Sequence, residues 1–574
     1  MTCFLIILAT VIAIALVVFI VWFASSLAAG KCPLCMLKQP FMSKLTIDVN
    51  NIQNFENNTK KAPLMGWSSW NTFRNHIDDN LIYETAVALK ETGLSDAGYK
   101  YVNLDDCWQS SLRDENGDLQ GDLESFPYGI PNLVERINEL DLKVGLYSSN
   151  GTLTCEDLPA SLNNEIKDAS TLARWGVEYF KYDFCHHEYI SGDCPAIEYV
   201  DLNKENNFAS IRLSPENATY TGKAKMIKIK ELPSQKAFGL INHGAGSVSF
   251  DVDVDEEDEY TMTIHYYKVQ NPHKQYCQVT INDKMYEVFF PASKPFTADA
   301  RQQIKVKLYA GKNTITFQNP IVTKADSSFC QYLRMANALK NATADYASEN
   351  KVDEKPITFS ICEWGNADPS KWGAKVGNMW RTTSDILPNW LSIRYIYERN
   401  VRLYEYAYPG HYNDPDMLEV GNGKLSENEN KAHFSLWCMM ASPLVLGNDI
   451  RLLKDESDEK AQSTLKILTN KELIAIDQDS LSKQAKPIKL TLFGIDILAR
   501  PLENGDVALC IFNKSPNKKN FNFSLNTLCD EPYLEFEKAD EYKIHDLWDN
   551  ETFNASNVNG TIDKHSVKVY RISK

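Results

Sequence analysis

Short apolar runs with the texture of β-strands alternate with helix-like stretches in the first third of this chain. Residues 101–104, 143–147 and 177–182 are strand-like, and residues 81–94 and 130–140 carry apolar side chains at three- and four-residue steps. Strands that alternate with helices at this spacing pair in parallel, because each helix carries the chain back across the sheet. The pattern therefore predicts an α/β fold with a parallel sheet.

Polar and acidic side chains follow these strand-like runs. Asp105 and Asp106 end one run, Asp183 ends another, and Glu363 follows a later one. Residues that follow parallel strands meet at one face of a closed barrel, which is where such folds carry their chemistry. We therefore expect a (β/α)8 TIM barrel with a site at the carboxyl ends of its strands.

Two segments depart from this pattern. Residues 238–320 are nearly all strand-like, and alternating residues from about 489 onwards indicate a further sheet. The expected fold is a TIM barrel interrupted by an inserted β-sandwich and followed by a C-terminal antiparallel β-sandwich. The expected domains are 1–30 (signal anchor or signal peptide), 31–61 (stalk or linker), 62–193 (first part of the barrel), 194–326 (inserted sandwich), 327–487 (second part of the barrel) and 488–574 (C-terminal sandwich).

Residues 4–24 form an uncharged apolar run that is long enough to cross a bilayer as a helix. This run could be an uncleaved signal anchor, which would make the membrane a partner, or a signal peptide cleaved near residues 26–30. Lysines that follow the run would place the rest of the chain in the cytosol. Numerous Asn-x-Ser/Thr sequons favour instead an N-glycosylated body that is extracellular, at the cell surface or in a lumen, vacuolar or lysosomal lumens included. We give the sequons more weight and predict the secretory pathway; they begin at Asn57, Asn150, Asn217, Asn341, Asn513, Asn522, Asn550, Asn554 and Asn559.

The net charge restricts the kinds of partner that the protein can bind, and the number and spacing of the cysteines restrict how they can pair. A net charge of −16 argues against a nucleic-acid partner held by phosphate contacts. Thirteen cysteines is an odd number, so at least one of them cannot pair within the chain. Cys32 and Cys35 are expected to be a structural or acylated pair, because no second Cys/His pair nearby completes a zinc site.

The acidic strand ends allow two kinds of chemistry. Two carboxylates that face each other across a pocket can cleave a glycosidic bond, and several converging carboxylates can bind a divalent metal. Asp183 by itself is ambiguous, since an acidic residue at this place could also cap a helix or pair with Lys181.

Six sequence blocks, in the family's order, resemble the motifs of glycoside hydrolase family 27, which includes the fungal and plant α-galactosidases. The resemblance covers about residues 62–190 and 328–487 and, more faintly, the C-terminal sandwich. The blocks are LMGWSSWN (64–71), YVNLDDCW (101–108), KYDFC (181–185), CEWG (362–365), WRTTSD (380–385) and NDPDML (413–418).

The resemblance implies a retaining exo-α-galactosidase that hydrolyses terminal α-linked galactose from oligosaccharides or glycoconjugates. Asp183 would be the nucleophile after the fourth barrel strand, and Asp385 the general acid/base after the sixth. In a retaining enzyme these two carboxyl groups stand about 5–5.5 Å apart. Lys181 would lower the pKa of Asp183, and Asp385 would lie in less polar surroundings that keep it protonated.

The resemblance also implies which residues bind the sugar. Glu363 and Trp364 would crowd a 2-acetamido group, and Asp106, being shorter than Glu, leaves room for the hydroxymethyl group at C6. Both features favour galactose over N-acetylgalactosamine or arabinopyranose. The binding positions would be Trp67 (the apolar ring face), Asp105 and Asp106 (O4 and O6), Lys181 (O3 and O4), Arg381, Glu363 and Trp364 (the O2 corner), and Tyr147 (the pocket wall).

Further expectations concern the cysteines and the insert. The family pattern pairs Cys155 with Cys185, whereas Cys107 lacks its family partner and is expected to be free. The insert resembles family 35 carbohydrate-binding modules, which often hold a structural Ca²⁺; the alternative is an inert domain that only completes the shape. No cofactor or metal is expected for catalysis.

Two other functions stay open from the sequence. One is another family 27 activity, as an α-N-acetylgalactosaminidase or an α-glucan exo-hydrolase. The other is a catalytically inactive carbohydrate-binding surface protein, although such a binder has no need of both Asp183 and Asp385. The sequence leaves the natural substrate, the linkage preference, the pH optimum and the oligomeric state undetermined.

Overall fold

A computed structural model describes residues 16–17, 44–204, 210–267, 274–282, 284–291 and 300–574. The predicted signal anchor or signal peptide lies outside this range except for two residues, and the predicted stalk lies partly outside it. No helix within the described ranges combines the length and the apolar character that a membrane crossing requires.

The first four strands of the molecule pair in parallel, as the sequence predicts. Asp78 caps the long helix between the first two strands by accepting a hydrogen bond from the Leu81 amide. That helix buries one face, which includes Ile82, Ala86 and Leu89. The strands are β1 (Met65–Ser68), β2 (Tyr101–Asn103), β3 (Lys143–Ser149) and β4 (Tyr179–Asp183), and the helices are α1 (Trp70–Phe73), α2 (Asp79–Glu91), α3 (Leu94–Ala97), α4 (Gly129–Asn138) and α5 (Glu165–Trp175).

After β4 the chain forms two antiparallel sheets. Burial in the segment Ser247–Val254 alternates residue by residue, because successive side chains of a strand point to opposite faces. The buried residues of both sheets belong to one hydrophobic core. The strands are β5 (Ala196–Lys204), β6 (Ser210–Leu213), β7 (Thr219–Tyr220), β8 (Lys225–Lys228), β9 (Lys236–Gly239), β10 (Ser247–Val254), β11 (Asp258–Tyr267), β12 (Gln275–Ile281), β13 (Lys284–Phe290), β14 (Ala300–Leu308) and β15 (Gly311–Gln318).

These two sheets have simple orders. The five-stranded sheet runs β13-β12-β15-β10-β7, and the six-stranded sheet runs β14-β11-β5-β9-β8 with β6 added beside β5. In both sheets the pairs are antiparallel, for example β10 with β15 from Ser247↔Gln318 to Val254↔Gly311.

The parallel pattern then resumes. The eight parallel strands form one sheet in the order β18-β17-β16-β4-β3-β2-β1-β19, and a bridge between Leu418 and Leu446 links its two ends. The prediction of a barrel-like parallel sheet is therefore confirmed. The new strands are β16 (Thr358–Cys362), β17 (Met379–Arg381), β18 (Tyr412–Asp414) and β19 (Leu444–Leu446), and the helices are α6 (Lys324–Asn350), α7 (Trp390–Asn400), α8 (Glu427–Met439), α9 (Glu459–Leu468) and α10 (Lys471–Asp477).

The C-terminal segment is antiparallel, and the prediction of a C-terminal β-sandwich is confirmed. A six-stranded sheet runs β20-β21-β22-β27-β24-β25, and a two-stranded sheet pairs β23 with β26. One hydrophobic cluster joins residues of both sheets. The elements are β20 (Lys486–Lys489), β21 (Ile495–Pro501), β22 (Val507–Asn513), β23 (Lys519–Ser524), α11 (Asn526–Cys529), β24 (Tyr542–Asp546), β25 (Thr552–Ala555), β26 (Asn557–Ile562) and β27 (Ser566–Ser573).

By its internal contacts the described chain divides into two compact units. One contains the described parts of Met1–Ile47 and Ile190–Ser327, and the other contains Asp48–Tyr189 and Ser328–Lys574. The finer domain boundaries given above stay predictions.

The predicted glycosylation sequons fall into two groups. Asn57, Asn150 and Asn513 are buried, and their side-chain amides donate hydrogen bonds to Ile357 O, Gln331 Oε1 and Asp563 O. A glycan on these amides is incompatible with the folded structure. The sequons at Asn57 and Asn513 are therefore corrected to structural asparagines, whereas Asn150, in the loop after β3 beside the expected pocket, is not expected to carry a glycan. The exposed sequons are Asn217, Asn341, Asn522, Asn550, Asn554 and Asn559.

Candidate active site

A pocket with an empty volume of about 450 Å³ opens at the carboxyl ends of the barrel strands. Its wall combines residues that lie in or follow seven different strands, at the strand ends where the sequence places the chemistry. The lining residues are Trp70, Asn71, Asp105, Asp106, Tyr147, Cys155, Lys181, Asp183, Trp364, Arg381, Asp385, Asp416 and Met417.

Asp183 ends β4 and is buried. The Phe184 amide donates to its Oδ1 at 2.9 Å. Burial raises the pKa of Asp183 to about 7, while Lys181 lowers it and Asp385 raises it further. The sequence predicts a lowered pKa from Lys181; the direction of that interaction is right, but the cost of burying the charge outweighs it.

Asp385 follows β17 in the same pocket. Its Oδ1 accepts a hydrogen bond from Arg381 Nη2 at 3.0 Å. The side chain is 62% exposed, so the less polar surroundings expected for a protonated acid are absent. Asp385 is exposed because it lies in the loop beyond the end of β17, where it faces solvent and the guanidinium of Arg381.

Asp416 is a site residue that the sequence analysis did not identify, although it lies within the quoted NDPDML block. Its Oδ2 pairs with Arg381 at 2.7 Å and accepts the Ile386 amide at 2.8 Å. Arg381 therefore spans the carboxylates of Asp385 and Asp416. An acidic residue two positions beyond β18 was the signal that could have revealed it.

Lys181, next to the predicted nucleophile, pairs with Asp105. Its Nζ lies 2.7 Å from Asp105 Oδ2 and 5.1 Å from the centre of the Tyr147 ring. The neighbouring Asp106 accepts amides of Cys107 and Glu156 at 2.8 and 3.0 Å. Burial raises the pKa of Asp106 to about 6, against these hydrogen bonds. These three predicted sugar-binding residues and Tyr147 therefore lie together in the pocket.

Two predicted sugar contacts are placed elsewhere. Trp67 is fully buried, its indole donates to Asn448 O at 2.7 Å, and Trp70 lines the pocket instead. Glu363 is also fully buried and accepts Ser328 Oγ at 3.1 Å and the Ala367 amide at 2.7 Å. Burial raises the pKa of Glu363 to about 8. Neither residue lines the pocket, and the polar atoms of both are hydrogen-bonded inside the protein.

The structure joins Cys155 and Cys185 in a disulfide, as the resemblance implies. Cys155 also lines the pocket, so the bridge fixes a loop beside Asp183. Cys107 forms no disulfide with another cysteine of the described ranges. Among the described residues, the one grouping of three potential metal ligands is Cys155, Asp183 and Cys185, and its two sulfur atoms are bonded to each other.

Comparison with known sequence families decides the assignment. The family described as Alpha galactosidase A matches residues 62–238 and 322–479, which is more than half of the chain. The chain belongs to the α-galactosidase A family. The C-terminal segment 493–572 matches the Alpha galactosidase C-terminal beta sandwich domain. The predicted membership is confirmed, and the chain is a glycoside hydrolase.

Individual relatives agree with this assignment. Alpha-galactosidase 2 of Arabidopsis thaliana is 28% identical over 516 residues, covering 89% of this chain and 90% of that protein. Alpha-galactosidase A of Cellvibrio japonicus is 29% identical over 550 residues, covering 93% of this chain and 97% of that protein. The crystal structure of α-galactosidase I from Mortierella vinacea has the same fold, with a TM-score of 0.61 and 24% identity. The match covers 90% of this chain and 98% of that one.

The buried charge of Asp183 leads to a stability prediction. The pKa of its folded form is about 7 and lies above the ordinary value of 3.8, so the charge opposes folding above pH 7 and this effect vanishes below pH 4. We expect Asp183→Asn to raise the melting temperature at pH 8 and to leave it nearly unchanged at pH 4. One pKa unit corresponds to about 1.4 kcal/mol, so a gain of a few kcal/mol is the upper limit.

Thermal unfolding of both proteins at the two pH values measures this gain. Asp353→Asn is the matched control, because Asp353 is exposed and forms no ion pair with another described residue, so the substitution should leave the melting temperature unchanged. Equal melting temperatures of wild type and Asp183→Asn at pH 8 would show that the Asp183 charge is not destabilising.

Proposed function

We propose that the protein is a retaining exo-α-galactosidase that releases terminal α-linked galactose from oligosaccharides or glycoconjugates. The observation that carries the proposal is the meeting of Asp183 and Asp385 in one pocket, each beside a buried cation. The names of the relatives support the galactose specificity.

In the first chemical step Asp183 attacks the anomeric carbon of galactose. The bond from that carbon to the leaving oxygen breaks, and Asp385 gives its proton to that oxygen. Asp183 must be ionised for this attack, and Lys181 favours its ionised form. A sugar that covers Asp385 removes it from water, which provides the less polar surroundings that a protonated acid needs.

In the second step a water molecule attacks the same carbon of the galactosyl ester on Asp183. Asp385, now a carboxylate, takes the proton of that water, and the bond to Asp183 breaks. Two displacements at one carbon return it to its original configuration. Arg381, held by Asp416, keeps Asp385 in the pocket during both steps.

The pocket wall accounts for sugar recognition in this proposal. Asp105, Asp106 and Lys181 offer charged hydrogen-bonding groups to the galactose hydroxyls, which bind more strongly than neutral ones. Trp70, which is partly buried and lines the pocket, supplies the indole for the apolar ring face, in the place first predicted for Trp67. Trp364 lines the part of the pocket near O2, where its indole would crowd an acetamido group. The preceding residue, Glu363, is held in the interior by its hydrogen bond with Ser328.

Trp364 also bears on the competing family activities. An α-N-acetylgalactosaminidase requires space for the 2-acetamido group of its substrate, and the Trp364 indole occupies that space. The buried Glu363 does not line the pocket, so Trp364 alone would exclude this group. A catalytically inactive carbohydrate binder does not require two carboxylates, Lys181 and Arg381 in one pocket. Both alternatives are outcomes of the first experiment below.

We also propose that the insert is a carbohydrate-binding module. Support comes from its two antiparallel sheets and from a cleft of about 720 Å³. Tyr286 lines the cleft beside the ion pairs Lys305–Glu259 and Lys307–Glu257. The Ca²⁺ expected from the resemblance stays a prediction, since the described residues of the insert bring no three His, Cys, Asp or Glu ligand atoms together.

The compartment belongs to this proposal as well. A disulfide between Cys155 and Cys185 and six exposed sequons suit the secretory pathway, where oxidised cysteines persist. We therefore propose a secreted, cell-surface or lumenal enzyme.

The first experiment measures release of p-nitrophenol from three aryl glycosides: the α-galactoside, the α-N-acetylgalactosaminide and the α-glucoside. We expect turnover of the galactoside alone, and a loss of about 10³-fold or more in Asp183→Asn because no nucleophile remains. Turnover of another glycoside would show that the pocket beside Trp364 accepts a sugar other than galactose. A folded protein without any turnover would support the binding-only alternative.

The second experiment assigns the roles of the two carboxylates with azide. In Asp385→Ala the galactosyl ester forms from an activated aryl galactoside, and azide should then accelerate turnover and give α-galactosyl azide, the retained product. In Asp183→Ala azide should attack the substrate directly and give the inverted β-azide. NMR of the products measures both anomers; wild type with azide is the control, and reversed anomers would exchange the two roles.

The third experiment replaces residues 194–326 with a short Gly/Ser linker. If the insert binds carbohydrate, turnover of the small aryl galactoside should persist while turnover of a polymeric galactoside falls several-fold. An unchanged ratio between the two substrates in a folded variant would contradict a recognition role for the insert.

A further inference from the structure

Two cysteines meet in the core of the inserted sheets. Cys194 lies just before β5, and Cys277 lies within β12. Their side chains are 6% and 0% exposed, and the two thiols are close enough to share a hydrogen bond. β5 belongs to the six-stranded sheet and β12 to the five-stranded sheet, so this contact connects the two sheets.

The backbone holds the two positions side by side. The Tyr276 amide donates to Asp193 O at 2.9 Å, which joins the residues that precede the two cysteines. The side-chain amide of Asn319 donates to both Asp193 O, at 3.2 Å, and Tyr276 O, at 2.9 Å. These hydrogen bonds keep the residues that precede the two cysteines side by side, and the closeness that a disulfide requires is therefore built into the backbone around Cys194 and Cys277.

The same chain already contains a disulfide, between Cys155 and Cys185. A compartment that oxidises this pair also exposes other adjacent cysteines to disulfide donors during folding. Cys194 and Cys277 are reachable only before the core closes, because their burial afterwards excludes reagents and keeps the thiols protonated. The pairing therefore takes place on the partly folded chain.

We propose that Cys194 and Cys277 form a second disulfide that staples the two sheets of the insert. The thiolate of one cysteine attacks a donor disulfide, either oxidised glutathione or a disulfide of a folding oxidoreductase, and forms a mixed disulfide. The thiolate of the second cysteine then displaces the donor sulfur. Two thiols of the protein lose two protons and two electrons, and the donor disulfide is reduced to two thiols.

This bridge has a physical consequence for the insert. Its cysteines are 83 residues apart in the sequence. A cross-link over so long a loop removes many conformations from the unfolded chain, which favours the folded state. It also fixes the segment through which the chain enters β5 against the opposite sheet.

The test uses the full chain secreted from a eukaryotic host. The protein is denatured in the presence of an alkylating reagent, digested without reduction and analysed by mass spectrometry. We expect one linked pair of peptides that carries Cys194 and Cys277 and disappears on reduction. The linked Cys155–Cys185 pair is the internal control for oxidation. Recovery of Cys194 and Cys277 as alkylated thiols alongside an intact control pair would overturn the proposal.

A thiol titration of the denatured, unreduced protein provides an independent readout. Because both sulfurs are oxidised in the wild type, Cys194→Ser/Cys277→Ser should show the same number of thiols as wild type, and a loss of two would contradict the bridge. Cys510→Ser, which removes a buried thiol of the C-terminal sandwich, should lose one and calibrates the titration. The peptide analysis needs no variant, so the proposal is testable even if a substitution prevents folding.

Discussion

Two buried cations allow five carboxylates to share one small pocket. Lys181 neutralises Asp105, and Arg381 neutralises Asp416 and contacts Asp385. Without these cations, burial and mutual repulsion would protonate the carboxylates or force the strand ends apart. The pocket can therefore be polar, buried and ordered before a substrate arrives, which is what electrostatic stabilisation of a transition state requires.

The barrel provides this arrangement even though a large segment interrupts it. β4 ends at Asp183, and its next neighbour in the sheet, β16, comes from beyond the insert, with Cys362 level with Asp183. On the other side Ser149 of β3 is level with Asp183. Loop closure becomes only slowly more costly as a loop lengthens, so the sheet can pair across a domain-sized insertion without losing its register.

Much of the fold and of the site could be predicted from the sequence, and the failures have physical causes. The alternation of strands and helices predicts the barrel, and the ordered motifs correctly bring Asp183, Asp385 and Lys181 together in one pocket. Two tryptophans three residues apart, Trp67 and Trp70, are indistinguishable in a sequence. Their burial depends on contacts with residues such as Asn448, hundreds of positions away.

The electrostatic predictions failed for a similar reason. Lys181 lowers the pKa of Asp183 as its position suggests, but the cost of burial is set by the surrounding protein and prevails. Asp385 is exposed because its loop leaves it in solvent. Asp416 pairs with Arg381, a residue from another strand, so its place beyond a strand end can be seen in the sequence but its partner cannot.

The sequence by itself determined the fold class, the family and the two candidate catalytic carboxylates, because periodicity and motifs are local properties of a chain. Tertiary structure alone decided which indole lines the pocket, which acids have a raised pKa, how Arg381 joins Asp385 to Asp416, and that Cys194 lies beside Cys277. These features arise from burial and from contacts between distant segments. Both depend on how the whole chain packs.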